Sequence, residues 1–325
     1  MKEAILRLLK KNRGAYISGE EICKSLQVTR TAIWKHIQAL REDGYEIEAR
    51  PRVGYQLTGT PDRLNPEEIK EGLSTRMMGQ NKIVYYSTIS STNKIAQEEG
   101  QRGCAEGTLV VAEEQTGGRG RLGRVWSSPR YKGIFLSLVL RPPVNPAQVA
   151  QVTMVASVAL AKAIRAETGV VLGIKWPNDL LAHGKKICGI SADLNAEMDR
   201  VNYLVLGVGI NVNQQPEDLS AELRDTATSL KIETGRPVER AKLTRACLES
   251  LEYWYTLWLD KGFGPVWSSW KEMSVSLNCP VRIHTLSKSW EGWAEDIDAD
   301  GALLLRLPNG EIQRLVSGEV SLRLT

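Results

Sequence analysis

The densest chemistry in the sequence is Gly117-Gly-Arg-Gly-Arg-Leu-Gly-Arg124, eight residues holding four Gly and three Arg. Glycine lets a backbone come close to a ligand and turn its amides inward, and guanidinium groups keep their charge and fork onto phosphate oxygens. The same composition disfavours helix and strand, so the spacing predicts a loop that is mobile when empty and ordered around an anion. A solvated basic loop, or one that touches RNA, is the alternative. No Gly-Lys-Ser/Thr follows, which excludes a Walker-type phosphate loop. A second cluster is Lys175-Trp-Pro-Asn-Asp179, after an apolar run. Pro177 is expected to end the strand ladder and expose Asn178 and Asp179. Asp179 then either helps hold Mg²⁺ among phosphates or belongs to an ordinary polar turn. Lys185 and Lys186 adjoin the next apolar run, and strand alternation sends one into the site and the other to solvent.

Two weaker signals accompany these. Gly207-Val-Gly209-Ile-Asn211 closes an apolar strand; its glycines permit close ligand approach and Asn211 offers an amide, but without a following helix it is no dinucleotide fingerprint. Ser90-Ser-Thr-Asn93 precedes a helical pattern, with Ser91 or Thr92 as its natural N-cap. Trp254, Trp258, Trp267 and Trp270 have helical spacing and are assigned to the core.

These side chains need elements to hold them. The central strands are read as Lys82–Tyr86, Thr108–Glu113, Gly133–Leu140, Val170–Lys175, Lys186–Leu194 and Tyr203–Val212. A helix begins near Thr92, an Ala-rich one spans Pro146–Thr168 up to Gly169, and a long amphipathic one runs over Val238–Leu259. Upstream, Ala4–Lys10 is a short helix, Ser18-Gly-Glu-Glu21 a capping box opening a second, and Thr29 the cap of a third with Ile33, Ile37 and Leu40 inside. That third helix leaves Thr31, Trp34, Lys35 and Gln38 outside, with Arg30 at its start. Tyr45–Arg50 and Val53–Leu57 then form a small wing, whose Arg50 and Arg52 reach for a neighbouring phosphate backbone. Such a face suits base edges and phosphates in a major groove, or else is the solvated side of an interaction module. Thr58–Pro66 reads as a linker. Val281–Thr285, Trp290–Ile297, Leu303–Leu307, Ile312–Leu315 and Ser321–Leu324 suggest a small β-barrel.

Composition narrows the class. The 325 residues have ordinary globular usage, which excludes disordered, collagen-like and coiled-coil chains. Five scattered Cys without a C-x-x-C pair give no disulfide framework and no zinc site, so reduced thiols in a cytoplasmic protein are expected. Three scattered His argue against a His-based metal centre. No signal peptide is visible, and the apolar stretch Val149–Ile164 is read as too short and too interrupted to span a bilayer. Residues 1–60 carry 11 Lys/Arg against 7 Asp/Glu, and the rest of the chain is balanced, so the whole net charge of +4 sits at the N-terminal end. That hints at a polyanionic partner there.

Taken in order, the helix-turn-helix, Ser91-Thr-Asn93, Gln115, Gly118-Arg-Gly-Arg121 with Gly123-Arg124, Lys175-Trp-Pro-Asn-Asp-Leu180, Lys186-Ile-Cys-Gly189 and Gly207-x-Gly209-Ile-Asn211 resemble the bifunctional biotin–protein ligases that also repress the biotin operon. The resemblance covers essentially the whole chain. It implies an α+β protein: a winged helix-turn-helix (1–60), a mixed α/β catalytic domain of class II-synthetase-like type (61–272) and an SH3-like β domain (273–325). It implies that biotin's carboxylate attacks the α-phosphate of ATP, with Mg²⁺, giving biotinyl-5′-AMP, from which a lysine of the biotin carboxyl carrier protein displaces AMP. By the same resemblance Ser91, Thr92, Asn93, Gln115, Gly118, Arg119, Gly120, Arg121, Lys186 and Gly207 bind biotin, with Arg119, Arg121 and Lys186 catalytic. Arg121, Trp126, Asn178, Asp179 and Asn211 serve the nucleotide, Trp126 packing on adenine. The adenylate-bound homodimer would hold operator DNA through Arg30, Thr31, Trp34, Lys35 and Gln38, within helix-turn-helix residues 19–38. A non-catalytic ligand-responsive repressor would need neither Lys186 nor the Arg-rich loop; a lipoate-type acyl-adenylate ligase is the enzymatic rival.

Overall fold

The structure is a computed structural model describing residues 1–120, 123–198, 200–284, 288–316 and 318–321. Its contacts divide it into two compact units, Met1–Arg63 and Leu64–Thr325.

The first unit is built as its caps dictate. Helices α1 (Lys2–Lys11), α2 (Gly19–Leu26) and α3 (Arg30–Glu42) are followed by a hairpin of β1 (Glu46–Arg50) and β2 (Gly54–Gly59). Ser18 Oγ accepts from the Glu21 amide at 3.1 Å and Thr29 Oγ1 from the Ala32 amide at 3.3 Å, each satisfying an orphan donor of a first helical turn. Gln27 in the left-handed region ends α2 and turns the chain into α3. Ile5, Leu9, Ile22, Ile33, Ile37 and Leu40 meet Ile47 and Leu57 of the wing in one core. Arg50 differs from expectation: its guanidinium bonds Glu48 at 2.9 Å and lies over the Tyr16 ring, so it is engaged within the wing.

The second unit centres on a seven-stranded sheet of β3 (Ile83–Tyr86), β4 (Thr108–Ala112), β5 (Gly133–Leu140), β9 (Val201–Asn211), β8 (Lys185–Ala196), β7 (Asp179–Ala182) and β6 (Gly173–Lys175), in that spatial order. Only β3 and β4 run parallel. The short α4 (Pro66–Lys70), α5 (Thr92–Gln101), α6 (Val149–Thr168), the short α7 (Leu230–Thr234), α8 (Arg240–Lys261) and α9 (Gly264–Met273) complete the unit, α6 and α8 sharing the main core with the sheet. Pro146–Thr168 is in fact long and apolar enough to cross a bilayer; 72% of its most apolar 18-residue stretch is buried inside the protein, and burial rather than length marks it as a core helix. Of the four helical tryptophans Trp254, Trp258 and Trp270 are buried and Trp267 packs against the core.

Two strand readings change. β6 begins at Gly173, three residues later than the apolar pattern suggested, and Pro177 does not end the ladder. It sits in a tight turn from β6 into β7, a four-residue strand too short for periodicity to reveal. The C-terminal strands β10 (Cys279–His284), β11 (Ser289–Ile297), β12 (Leu303–Arg306), β13 (Ile312–Leu315) and β14 (Glu319–Ser321) form an antiparallel sheet in the order β13-β12-β11-β10-β14. This sheet and the segment leading into it grip the β6–β7 turn: the Trp176 amide donates to Ser276 Oγ at 2.9 Å, its indole Nε1 to the Gly301 carbonyl at 3.1 Å, and the Val275 amide donates to the Ile174 carbonyl at 2.9 Å.

Candidate active site

Three central strands make the floor. Their register places Ser137, Gly207 and Ser191 in one row across β5, β9 and β8, and Phe135, Gly209 and Gly189 in the next. Each glycine leaves a depression that a side chain fills. A Cβ on Gly207 would lie 2.4 Å from Asn93 Oδ1 and 2.5 Å from Ser191 Oγ, and one on Gly209 would lie 2.6 Å from the Trp126 indole. The close approach anticipated for these glycines is therefore made by Asn93 and Trp126 themselves, which the floor seats.

Above the first row Asn93 is fixed from both ends. Its Oδ1 lies 2.6 Å from Ser137 Oγ, and its Nδ2 donates to Ser191 Oγ at 3.1 Å and to Asp193 Oδ2 at 2.8 Å. An amide oxygen only accepts, so the single Ser137 proton goes to Asn93, while Thr92 Oγ1 lies 2.8 Å from Ser137 Oγ and 3.1 Å from Gln115 Oε1, itself an amide oxygen that only accepts. Gln115 Oε1 accepts the Thr92 amide at 2.9 Å, while Gln115 Nε2 donates to Ser128 Oγ at 3.0 Å. Gln115, not Ser91, thus supplies the capping oxygen of α5; Ser91 stands at the N-cap position without a side-chain capping bond. Ser137, Ser191 and Asp193 were not singled out from sequence. A serine inside the apolar run Gly133–Leu140 was the available signal.

The resulting cavity, about 760 Å³, lies in the range of small-molecule sites. Ser91, Thr92, Asn93, Gln115, Arg119, Gly120, Trp126, Asn178, Asp179, Lys186, Gly207 and Asn211 all line it, so one pocket collects most of the residues singled out. Gly118 is buried instead behind the wall, where a Cβ would lie 2.6 Å from the Trp126 carbonyl. Arg121 lies outside the described residues. On either side of residues 121 and 122, Arg119 pairs with Val125 and Gly120 donates to the Arg124 carbonyl at 2.8 Å, and Trp126 follows onto the glycine floor.

The charged end of the pocket is Lys186. Its Nζ lies 2.6 Å from Asp179 Oδ1 and 5.3 Å from the Trp126 ring centroid. The lysine and aspartate side chains keep 33% and 22% of their exposure, so an incoming anion can reach the ammonium. Lys185 turns the other way, to the Arg224 carbonyl. Asp179 is the only acidic side chain among the described lining residues, and among the described residues no three His, Cys, Asp or Glu groups converge on a metal site. The two asparagines offered to the nucleotide are tied internally: Asn178 Nδ2 donates to the Ile190 carbonyl, and Asn211 donates to Thr228 O and accepts from Gln214, both at 3.1 Å. They shape the wall rather than present free amides. Gln214, Leu219, Leu223 and Ala227 add a further wall, and His284 and Val320 of the C-terminal sheet another, none of them apparent in the sequence because their neighbours there are distant in the chain.

Behind the pocket, Glu113 and Arg240 are both fully buried and bonded at 2.7 Å. Arg240 also donates to the Gly133 carbonyl, and Glu113 accepts the Leu64 amide at 2.8 Å. All five cysteines are free. Burial pushes the Cys188 thiol well up and that of Cys247 to about 12, which makes both inert.

In the N-terminal unit Arg30, Thr31, Trp34 and Lys35 are exposed and Gln38 half-buried on one side of α3, opposite its apolar face.

The first unit is a winged helix-turn-helix, and the second carries a polar-and-cationic pocket on a mixed sheet that its antiparallel β domain helps to wall: together they are a DNA-binding module and a ligase-type domain. Matches to known families have the same division: the HTH domain at residues 2–56, the biotin/lipoate A/B protein ligase family at 85–211 and the biotin protein ligase C-terminal domain at 276–323. The chain is 41% identical over 322 residues to the bifunctional ligase/repressor BirA of Bacillus spizizenii, covering 99% of this chain and 98% of that protein. It is 31% identical to BirA of Escherichia coli, covering 95% and 94%. Among solved structures, the biotin protein ligase of Aquifex aeolicus in complex with biotin and ATP superposes with a TM-score of 0.65 at 27% identity, covering 75% of this chain and all of that one. The chain belongs to the family of bifunctional biotin ligase/repressors.

Proposed function

We propose that the protein activates biotin with ATP to biotinyl-5′-AMP, transfers the biotinyl group to a lysine of the biotin carboxyl carrier protein, and represses biotin genes when the adenylate is bound. The observation that carries this is one cavity holding both a neutral hydrogen-bonding cradle and an ammonium. Asn93 and Gln115 sit at one end; Lys186, beside Asp179 and Trp126, sits at the other. A ureido ring needs donors and acceptors held still, which the Ser137–Asn93–Asp193 network supplies. A carboxylate and a phosphate repel each other, and the Lys186 ammonium offsets that repulsion.

In the first half-reaction a carboxylate oxygen of biotin bonds to the α-phosphorus and pyrophosphate leaves. In the second, the carrier amine bonds to the acyl carbon, AMP leaves with the bonding pair, and the amine loses a proton. Lys186 exchanges Asp179 for the reacting anions as they enter. Arg119 and Gly120 border the same cavity, and Arg121 keeps from the family resemblance the role of closing over the adenylate. The Trp126 indole is the flat apolar face offered to adenine. Mg²⁺ would enter with the nucleotide, neutralising phosphate charge; Asp179 is the lining carboxylate able to approach it. Work divides over residues 1–60 for DNA, 61–272 for catalysis and 273–325 for the C-terminal support. Five free thiols suit the cytoplasm. A homodimer formed on the adenylate would present two α3 helices to a palindromic operator.

The test is to incubate the protein with biotin, Mg-ATP and a carrier domain and to weigh the carrier. One biotinyl addition, absent with lipoate, is the expected result; no addition overturns the reading. Operator footprints that ignore biotin and ATP would overturn the regulatory half.

A further inference from the structure

We infer that Trp34 selects DNA sequence by packing its indole on the 5-methyl group of a thymine in the major groove. The inference rests on the DNA-binding reading above and names what that surface recognises.

Three observations point there. Trp34 is 58% exposed and contributes nothing to the core of its unit, which Ile33, Ile37 and Leu40 of the same helix fill. It is the only exposed aromatic in residues 1–63, since Tyr45 is buried and Tyr16 and Tyr55 are half-buried. It also stands one turn into α3 on the face of Thr31, Lys35 and Gln38, with Arg30 at the helix start; neither Arg30 nor Lys35 is committed to an ion pair among the described residues. An apolar surface of that size, with Arg30 and Lys35 exposed on the same side of the helix, is poorly suited to water and to a protein core. It matches a strip of the major groove, where phosphates flank the cations and the thymine methyl is the one apolar feature among base edges. An indole carries no acceptor and a single donor, so it cannot form the bidentate bonds that read guanine or adenine. Thr31 and Gln38, three residues before and four after it on the same face, are left to read neighbouring polar edges.

The experiment uses the full chain with biotin and Mg-ATP, and selects binders from a random 40-base-pair duplex library. The expected consensus has a thymine fixed at one position of each half-site. Replacing that thymine by deoxyuridine removes only the methyl group and should weaken binding about fourfold per half-site, the worth of one buried methyl. Trp34→Ala should bind thymine sites about tenfold more weakly and bind thymine and uracil sites equally; being exposed, the substitution should leave the thermal midpoint of the protein unchanged. Trp34→Phe, which keeps an apolar face, should retain part of the thymine preference. An unchanged consensus and an unchanged thymine-to-uracil ratio in Trp34→Ala would overturn the inference alone. If the wild-type chain selects no sequence, the DNA-binding reading itself falls, and the inference with it.

Discussion

Removing the Lys186 ammonium should do two separable kinds of damage. The substitution Lys186→Ala deletes a positive charge from the site of adenylation and leaves the Asp179 carboxylate, formerly 2.6 Å away, unpaired and facing the incoming anions. Loss of one preorganised electrostatic group slows a reaction by about 10²–10³-fold. The stranded carboxylate adds repulsion: two unit charges about 6 Å apart at an effective dielectric near 20 interact by roughly 3 kcal/mol, before screening at this partly open site reduces it to about 1 kcal/mol. The double variant Lys186→Ala, Asp179→Asn should therefore recover about fivefold to tenfold of the rate lost in the single variant. Because the pair is partly exposed, breaking it should cost no more than about 1 kcal/mol of stability, so both variants should fold. Single-turnover pyrophosphate release with biotin and Mg-ATP measures the step directly. Near-wild-type adenylation by Lys186→Ala would refute the assignment, and a double variant slower than the single one would refute the repulsion argument.

Further outcomes follow from neighbouring contacts. Gly207→Ala places a methyl group 2.4 Å from Asn93 Oδ1 and should displace the cradle, weakening biotin binding by roughly 10- to 100-fold in a calorimetric titration; unchanged affinity would show that Asn93 need not hold its position. Arg240→Met leaves the Glu113 carboxylate buried and unpaired and should lower stability by about 3–5 kcal/mol in denaturant unfolding, with partial recovery on adding Glu113→Gln. Arg121→Gly should speed dissociation of biotinyl-5′-AMP, measured by rapid dilution, through loss of the closing loop. Cys247 has its thiol raised from 9.0 to about 12, so the folded state holds a proton that the unfolded state releases; stability is complete below about pH 9 and falls as pH rises toward 12. Thermal scans over that interval should show a shallower decline for Cys247→Ala.

What the sequence disclosed and what it withheld follow from the range of the interactions. The caps at Ser18 and Thr29 are contacts three residues long and both form, although Glu21 does not return the bond to Ser18 that a full capping box has. The strand Gly133–Leu140 is a continuous apolar run buried throughout and was read to the residue. By contrast, the α5 cap comes from Gln115, 23 residues downstream, and the support of Asn93 comes from Asp193, 100 residues away. Local spacing contains no record of either. Asn178, expected at the end of a strand before Asp179, and Asn211, beside Gly209, both line the pocket, and their amides also bond the Ile190 and Thr228 carbonyls because buried amides must be satisfied wherever partners occur. Family motifs found the pocket wall well, since they group residues that converge in space, but they were silent on Ser191, Leu223 and Val320, which lie between or beyond them.

The grip of the C-terminal sheet on Trp176 constrains how this gene can be shortened. A stop codon anywhere upstream of Ser276 would strip the partner from the Trp176 amide and, with Gly301 gone, from its indole, uncovering a buried ring immediately before Pro177, Asn178 and Asp179. The last fifty residues are thus a buttress of the reaction centre, and an engineered minimal enzyme should discard the first 63 residues long before it trims the tail.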